Sequence, residues 1–338
     1  MWKRLIIVTV VLASLPAAVV QSADINICDR TCLQNYIDRY MDAMLNNDPS
    51  LELFSRDCKF TENGVRLPLG NEGLWVRMSG KGSYKFYVPD VETQQVAFFG
   101  TAREGAARGT GAKKQGEGAL VAVAIRLKIV NGLITEAEQI VIRPDSDTMG
   151  MTGKLSVGET VEKMGAPHAI YREAIPEAER PSREELIKTA NYYFSGMQKN
   201  DGKGYYPFTD DCHRIENGMP ATNVPVPEGQ KRPDPKTATM YSSSWGCKEQ
   251  FESGLLGFVT RIRDRRFVAV DRERGIVFAF GFFDHDMLNW TWQIAELFKI
   301  EKGNIRRIEA LFHRCPYGMN SGWSTYEQGI SDRIQSIR

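Results

Sequence analysis

At 338 residues the chain is long enough for two domains of ordinary size, each with its own core, and its 42% apolar and 25% charged residues are ordinary for a globular protein. A formal net charge of +1 supplies no global field to recruit nucleic acid or an anionic membrane, which excludes both as default partners.

The N-terminus has its own logic. Lys3 and Arg4 precede an apolar run from Leu5 to Val20, broken by Ser14 and Pro16 and followed by small residues through Ser22 and Ala23. This predicts a secretory signal peptide over residues 1–23 and an exported protein, periplasmic or extracellular, with no membrane contact after cleavage. The alternative, a membrane anchor, needs about 20 apolar residues, and the run is shorter. Six cysteines remain, an even count that suggests disulfides in an exported chain. No Cys-x-x-Cys occurs and the four histidines are scattered, so no metal site is expected.

The mature chain opens on an amphipathic segment, residues 32–45, with Leu33, Ile37, Tyr40, Met41, Met44 and Leu45 at helical spacing. It ends at the breaker cluster NNDPS. Residues 57–64 then read DCKFTENG and recur at 211–218 as DCHRIENG, 154 positions on. The second copy is also preceded by a helical segment, 183–201, in which Tyr193 takes the place of Tyr40. Asn-Gly predicts a tight turn after a short strand.

Next, residues 85–100 match 266–281, each reading as two strands around a polar turn. The spacing between copies has grown by 27 residues, which places an insertion in the Pro-rich stretch after Glu216. Cys212 and Cys247 bracket that insertion, so a disulfide between them is expected to tie it down. The pairing of the other four cysteines is open. The last match sets residues 128–143 against 299–314, with Asn131-Gly132 and Lys302-Gly303 as hairpin turns. The first copy has a longer loop before these strands, residues 101–117, which lacks the spacing of a nucleotide-binding loop and reads as a mobile surface loop.

The chain is thus read as a duplication: a first domain over 24–145, a connector over 146–181, a second domain over 182–315 with its insertion, and a tail over 316–338. The order of elements in each half resembles the nuclear transport factor 2-like, or SnoaL-like, cone fold. The doubled arrangement, the Thr61-Glu62-Asn63 run and the connector IPEAERPSREELI resemble a family of exported fungal and bacterial proteins of unknown function. The resemblance implies an α+β fold of two tandem cone-shaped domains, each a curved antiparallel sheet packed on helices around a pocket. It does not fix an activity, because one fold hosts many.

The duplication supplies an internal control for chemistry. At equivalent positions the second copy has Glu296 for Ile125, His313 for Ile142, and Trp290 and Trp292 for Ala119 and Val121. If Lys302-Gly303 is the turn, Glu296 faces Glu309 and Trp292 faces His313, on one face with Ile294, Phe298 and Leu311. A carboxyl on an apolar face beside another resists ionisation, which suits general acid–base work. Glu296, His313, Glu309 and Glu216 are therefore the candidate catalytic residues. Trp290, Trp292, His213 and Tyr193 are the candidate substrate contacts. Glu62 and Glu216 also have a structural reading, as turn residues that accept backbone hydrogen bonds. His285, between Asp284 and Asp286, is expected to hold its proton tightly. No Gly-x-Ser-x-Gly elbow, dinucleotide loop or Walker loop is present.

The expected function is a cofactor-independent lyase, isomerase or hydrolase acting on a small, partly aromatic molecule. The alternative is an exported small-molecule binding protein. An oligomer is compatible with either, and the sequence does not fix the oligomeric state.

Overall fold

The computed structural model describes residues 27–105, 116–148 and 153–336. The signal peptide expected over 1–23 and most of the loop expected over 101–117 lie outside the described residues.

The two halves are built alike. The first runs α1 (Arg30–Asn46), β1 (Phe54–Glu62), β2 (Val65–Arg66), α2 (Leu74–Arg77), β3 (Met78–Asp90), β4 (Gln95–Glu104), β5 (Ala119–Val130) and β6 (Leu133–Ile142). After a connector carrying α3 (Val157–Lys163), the second runs α4 (Arg183–Met197), β7 (Phe208–Glu216), β8 (Met219–Pro220), α5 (Cys247–Glu252), β9 (Arg261–Asp271), β10 (Ile276–His285), β11 (Trp290–Glu301) and β12 (Asn304–Pro316). The tail holds α6 (Tyr326–Ile330). Each half forms a six-stranded sheet of the same order, β2-β1-β6-β5-β4-β3 and β8-β7-β12-β11-β10-β9. The protein is an α+β fold of two tandem curved-sheet domains. One pairing per sheet is parallel, β1 with β6 and β7 with β12.

Helix α1 starts where Asp29 accepts a hydrogen bond from the Cys32 amide, and it stops at Asn47, which adopts the left-handed conformation. Its buried stripe, Leu33, Ile37, Tyr40 and Met44, packs into the hollow of the first sheet. Helix α4 starts at a Ser182–Glu185 capping box and presents Leu186, Ala190, Tyr193, Phe194 and Met197 to the second sheet.

The Glu-Asn-Gly repeat has a backbone explanation. Asn63 and Asn217 both sit at positive φ, 49° and 50°. The Asn63 carboxamide accepts from the Val141 amide and donates to the Val141 carbonyl. Asn217 does the same with Phe312. Each side chain thereby extends the sheet across a turn that ordinary residues strain to adopt.

The outer faces of the two sheets pack on each other. Phe86, Phe99, Ala124 and Ile140 from the first sheet form one cluster with Phe278, Phe280, Leu297 and Leu311 from the second, and Val157, Val161 and Tyr171 of the connector complete it. Ion pairs cross this junction reciprocally. Arg30, opening α1, binds Asp271 at the end of β9, and Arg183, opening α4, binds Asp90 at the end of β3. The exchange of equivalent residues gives the junction the character of a two-fold interface within one chain.

Two disulfides are present, Cys28–Cys32 and Cys212–Cys247, while Cys58 and Cys315 are free. The tail docks on both halves: Trp323 donates to Thr61, and Arg263 donates to the Gly329 carbonyl. Among the described residues no helix is long and apolar enough to cross a membrane, and no cluster suited to a metal ion occurs.

Candidate active site in the second half

The last hairpin differs from the sequence expectation by one residue. Next to the turn, Ile300 pairs with Ile305, but a bulge follows and Lys299 pairs with Arg307. From there on Glu296 faces Ala310, Leu297 faces Glu309, Trp292 faces Arg314 and Gln293 faces His313. A one-residue slip sends alternate side chains to opposite faces. Glu296 therefore stays on the concave face with Trp292, Ile294 and Phe298, whereas Glu309, Leu311 and His313 do not. The same bulge occurs in the first copy, after Lys128.

The concave face of the second half holds a cavity of about 320 Å³. Its walls come from α4 (Tyr193, Met197), β7 (Arg214, Glu216), the insertion (Ala221, Tyr241, Ser243), the segment before β9 (Leu256, Phe258, Val259) and the sheet (Phe283, Trp292, Ile294, Phe312). Most of this lining is apolar. The polar residues concentrate at one place. Arg214, 3% exposed, has its Nε 3.0 Å from Glu216 Oε1, and its Nη2 donates to the Tyr241 hydroxyl at 2.9 Å. Arg214 Nη1 and Trp292 Nε1 are buried without a hydrogen-bond partner.

Glu296 is 1% exposed and is not itself a lining residue. Its neighbours Tyr193, Arg214 and Glu216 are. One of its oxygens, Oε2, has no hydrogen-bond partner. Burial, reinforced by the charge of Glu216, pushes its carboxyl up from 4.5 to about 8, and Arg214 and the Tyr193 hydroxyl only partly oppose this. Glu296 is thus a protonated acid at neutral pH, set behind the polar wall of the cavity.

The insertion makes the cavity possible. Tyr241 donates to the Ala221 carbonyl, and Gln250 on α5 donates to that same carbonyl and to Tyr241. Cys212–Cys247 ties the insertion's far end to β7. In the first half this space is filled. Trp75 on α2 is fully buried and packs edge-on against Tyr40, Phe54 and Phe60. Phe60 stands where the second half has Arg214. Glu62 is committed to structure there, accepting from the Leu74 amide and Gln139 and pairing with Arg143.

The remaining candidates lie elsewhere. Glu309 is buried at the junction of the halves, where it accepts from Tyr84 at 2.9 Å. Burial raises its proton affinity, opposed by Arg307, Tyr84 and Tyr171. His313 lies on the same side of the strand as Glu309, beside Gln293, and burial lowers its proton affinity. His213 alternates with Arg214 along β7 and is exposed on the outer face. Trp290 is not a lining residue; it stacks on His285 with ring centroids 3.8 Å apart. His285 closes β10, and burial drives it down to about 4, outweighing Asp284 and Asp286, so the expectation of a tightly held proton is wrong. Asp284 spends its charge on Arg261 and Arg263 instead.

Two residues of the cavity's polar wall escaped the sequence reading. Arg214 had a signal, the change from Phe60 inside the matched motif. Tyr241 had none, because the insertion has no counterpart in the first copy. A wider groove of about 760 Å³ lies at the junction, but there Arg30 and Asp271 already satisfy each other.

Comparison with known proteins adds little chemistry. A family model described as "Domain of unknown function (DUF8021)" matches residues 179–312, the second half with its cavity. No curated protein matches. Among solved structures, a "de novo designed protein with curved beta-sheet" is similar at 17% identity, over 39% of this chain and 87% of that chain, with a TM-score of 0.25. "AclR a putative hydroxylase from Streptomyces galilaeus" is similar at 15% identity, over 33% of this chain and 90% of that chain, also with a TM-score of 0.25.

Proposed function

We propose that the protein is an exported, cofactor-independent acid–base enzyme of the SnoaL-like cone type, a lyase, isomerase or hydrolase, whose second half is active and whose first half is structural. The observation that carries this reading is the contrast between the copies. Where the first half has Phe60, Ile125 and a cavity filled by Trp75, the second has Arg214, Glu296 and an open cavity. Burying an acid, a base and a guanidinium together is costly to the fold, and perturbed carboxyls in clefts cluster at functional sites.

In this reading Glu216 takes a proton from carbon beside a carbonyl of the ligand. The Tyr193 hydroxyl donates to the oxygen that gains charge, and the Glu296 proton resupplies Tyr193 when that oxygen is protonated. Trp292 and Phe312 hold the flat part of the ligand. The substrate is a small molecule; nucleic acid and membrane have no part in it.

Solvent exchange tests this without knowing the full reaction. Enolisable aromatic ketones incubated with the protein in D2O should gain deuterium next to the carbonyl, followed by NMR. Glu216→Gln and Glu296→Gln should each lower that rate by about 10²-fold or more. Exchange no faster than buffer, or unchanged in both variants, would refute proton transfer. A pure binding protein is the second reading, favoured by the largely apolar lining and by the position of Glu296 behind the wall. It predicts saturable binding with no exchange.

A further inference from the structure

We propose that the second-half cavity selects an uncharged ring compound carrying a carbonyl or hydroxyl group, and discriminates against acids and amines of the same shape. The inference rests on reading this cavity as a ligand site, and it adds the charge class of the ligand.

The argument is a charge balance at the polar wall. The groups acting on Glu296 are Glu216 and Arg214 from β7 and Tyr193 from α4. The insertion adds Tyr241 beside Arg214. That leaves one cation, Arg214, already held by Glu216 at 3.0 Å and by Tyr241 at 2.9 Å. With Glu296 protonated the wall is neutral. An acid would enter as an anion, find only Arg214, whose Nη1 has no partner but whose charge Glu216 already balances, and lie close to two carboxyl groups. An amine would enter as a cation against a guanidinium that forms part of the wall. Against a largely apolar lining neither charge is repaid.

An uncharged ligand avoids both costs. The hydroxyls of Tyr193 and Ser243 and the unpartnered Trp292 indole N–H provide neutral hydrogen-bond partners. Trp292 and Phe312, with ring centroids 4.9 Å apart, provide a flat aromatic surface. Phe258 and Met219 line the cavity yet are 48% and 40% exposed, which marks them as its mouth. A cavity near 320 Å³ is at the small end of the roughly 300–1,000 Å³ usual for ligand sites, which suits a molecule of two or three rings.

Three naphthalenes of matched shape provide the test: 2-acetylnaphthalene, 2-naphthoate and 2-(aminomethyl)naphthalene. Their dissociation constants for the full mature chain at pH 6.5 can be measured by calorimetry. The ketone should bind at least about tenfold more tightly than either charged probe. In Glu216→Gln, which releases Arg214, naphthoate should gain about tenfold while the ketone changes less than about threefold. Circular dichroism checks that the variant is folded, and Ser243→Ala serves as a second variant, expected to weaken the ketone and leave naphthoate weak. If the acid or the amine binds as well as the ketone, or Glu216→Gln leaves naphthoate unchanged, the charge balance is wrong and the inference falls, while the ligand site stands. If none of the three binds, the ligand site itself is refuted.

Discussion

Glu296→Gln should make the protein less sensitive to alkali. The carboxyl of Glu296 holds its proton in the fold up to about 8, against 4.5 in the unfolded chain. Between those values the native state binds one more proton than the unfolded state, so stability falls as pH rises. The contribution is fully present below 4.5 and is lost as pH passes through about 8. The gap corresponds to about 5 kcal/mol, an upper figure because the charges of Glu216 and Arg214 also act on this carboxyl. Glutamine is neutral throughout and keeps an acceptor for Tyr193. Variant and wild type should therefore differ by no more than about 1 kcal/mol at pH 5. At pH 9 the variant should be the more stable by about 3–5 kcal/mol. Urea unfolding followed by tryptophan fluorescence at pH 5, 7 and 9 gives the difference, in which other titrating groups cancel. A difference that does not change with pH would refute the burial of an acid at this position.

Other perturbations test the frame around the cavity. Replacing Cys212 and Cys247 by serine frees an insertion closed over 35 residues and should cost about 3–4 kcal/mol, with loss of ligand binding, measured by denaturant midpoint and calorimetry. Trp75→Ala should cost about 3–5 kcal/mol in thermal or urea unfolding and open a hollow in the first half; retention of wild-type stability would mean that half is not filled as described. Asn63→Ala and Asn217→Ala each remove two hydrogen bonds to a strand and strain a left-handed turn, so each should cost about 2–3 kcal/mol, with Asn→Gly recovering the strain alone.

Much of the architecture was legible because the chain states it twice. Matching Asp57–Gly64 with Asp211–Gly218 revealed the repeat, and the changed spacing located the insertion and the Cys212–Cys247 bond. What failed was the facing of the last hairpin, and the reason is local. Lys302-Gly303 fixes the turn but not the bulge that follows it. The clue was the interval between Ile305 and Ile308, three residues rather than two, repeated in Ile134 and Ala137. That interval makes Arg306 the extra residue and carries Glu309 and His313 away from Glu296. The reading of His285 failed for a different reason. Sequence shows the neighbouring acids, whereas only the fold shows that Asp284 is committed to Arg261 and Arg263 and that the imidazole is stacked under Trp290. The buried Arg214 was visible as a departure from Phe60, but its meaning depends on Tyr241, which no pattern placed beside it.

The most direct measurement is the titration of the Glu296 carboxyl by NMR, with ¹³C-labelled glutamate and Glu296→Gln to assign the resonance. A midpoint near 8 is expected if the carboxyl is sealed behind Tyr193, Arg214 and Glu216 as an acid ready to give up its proton. A midpoint near 4.5, that of a carboxylate in water, would contradict the account.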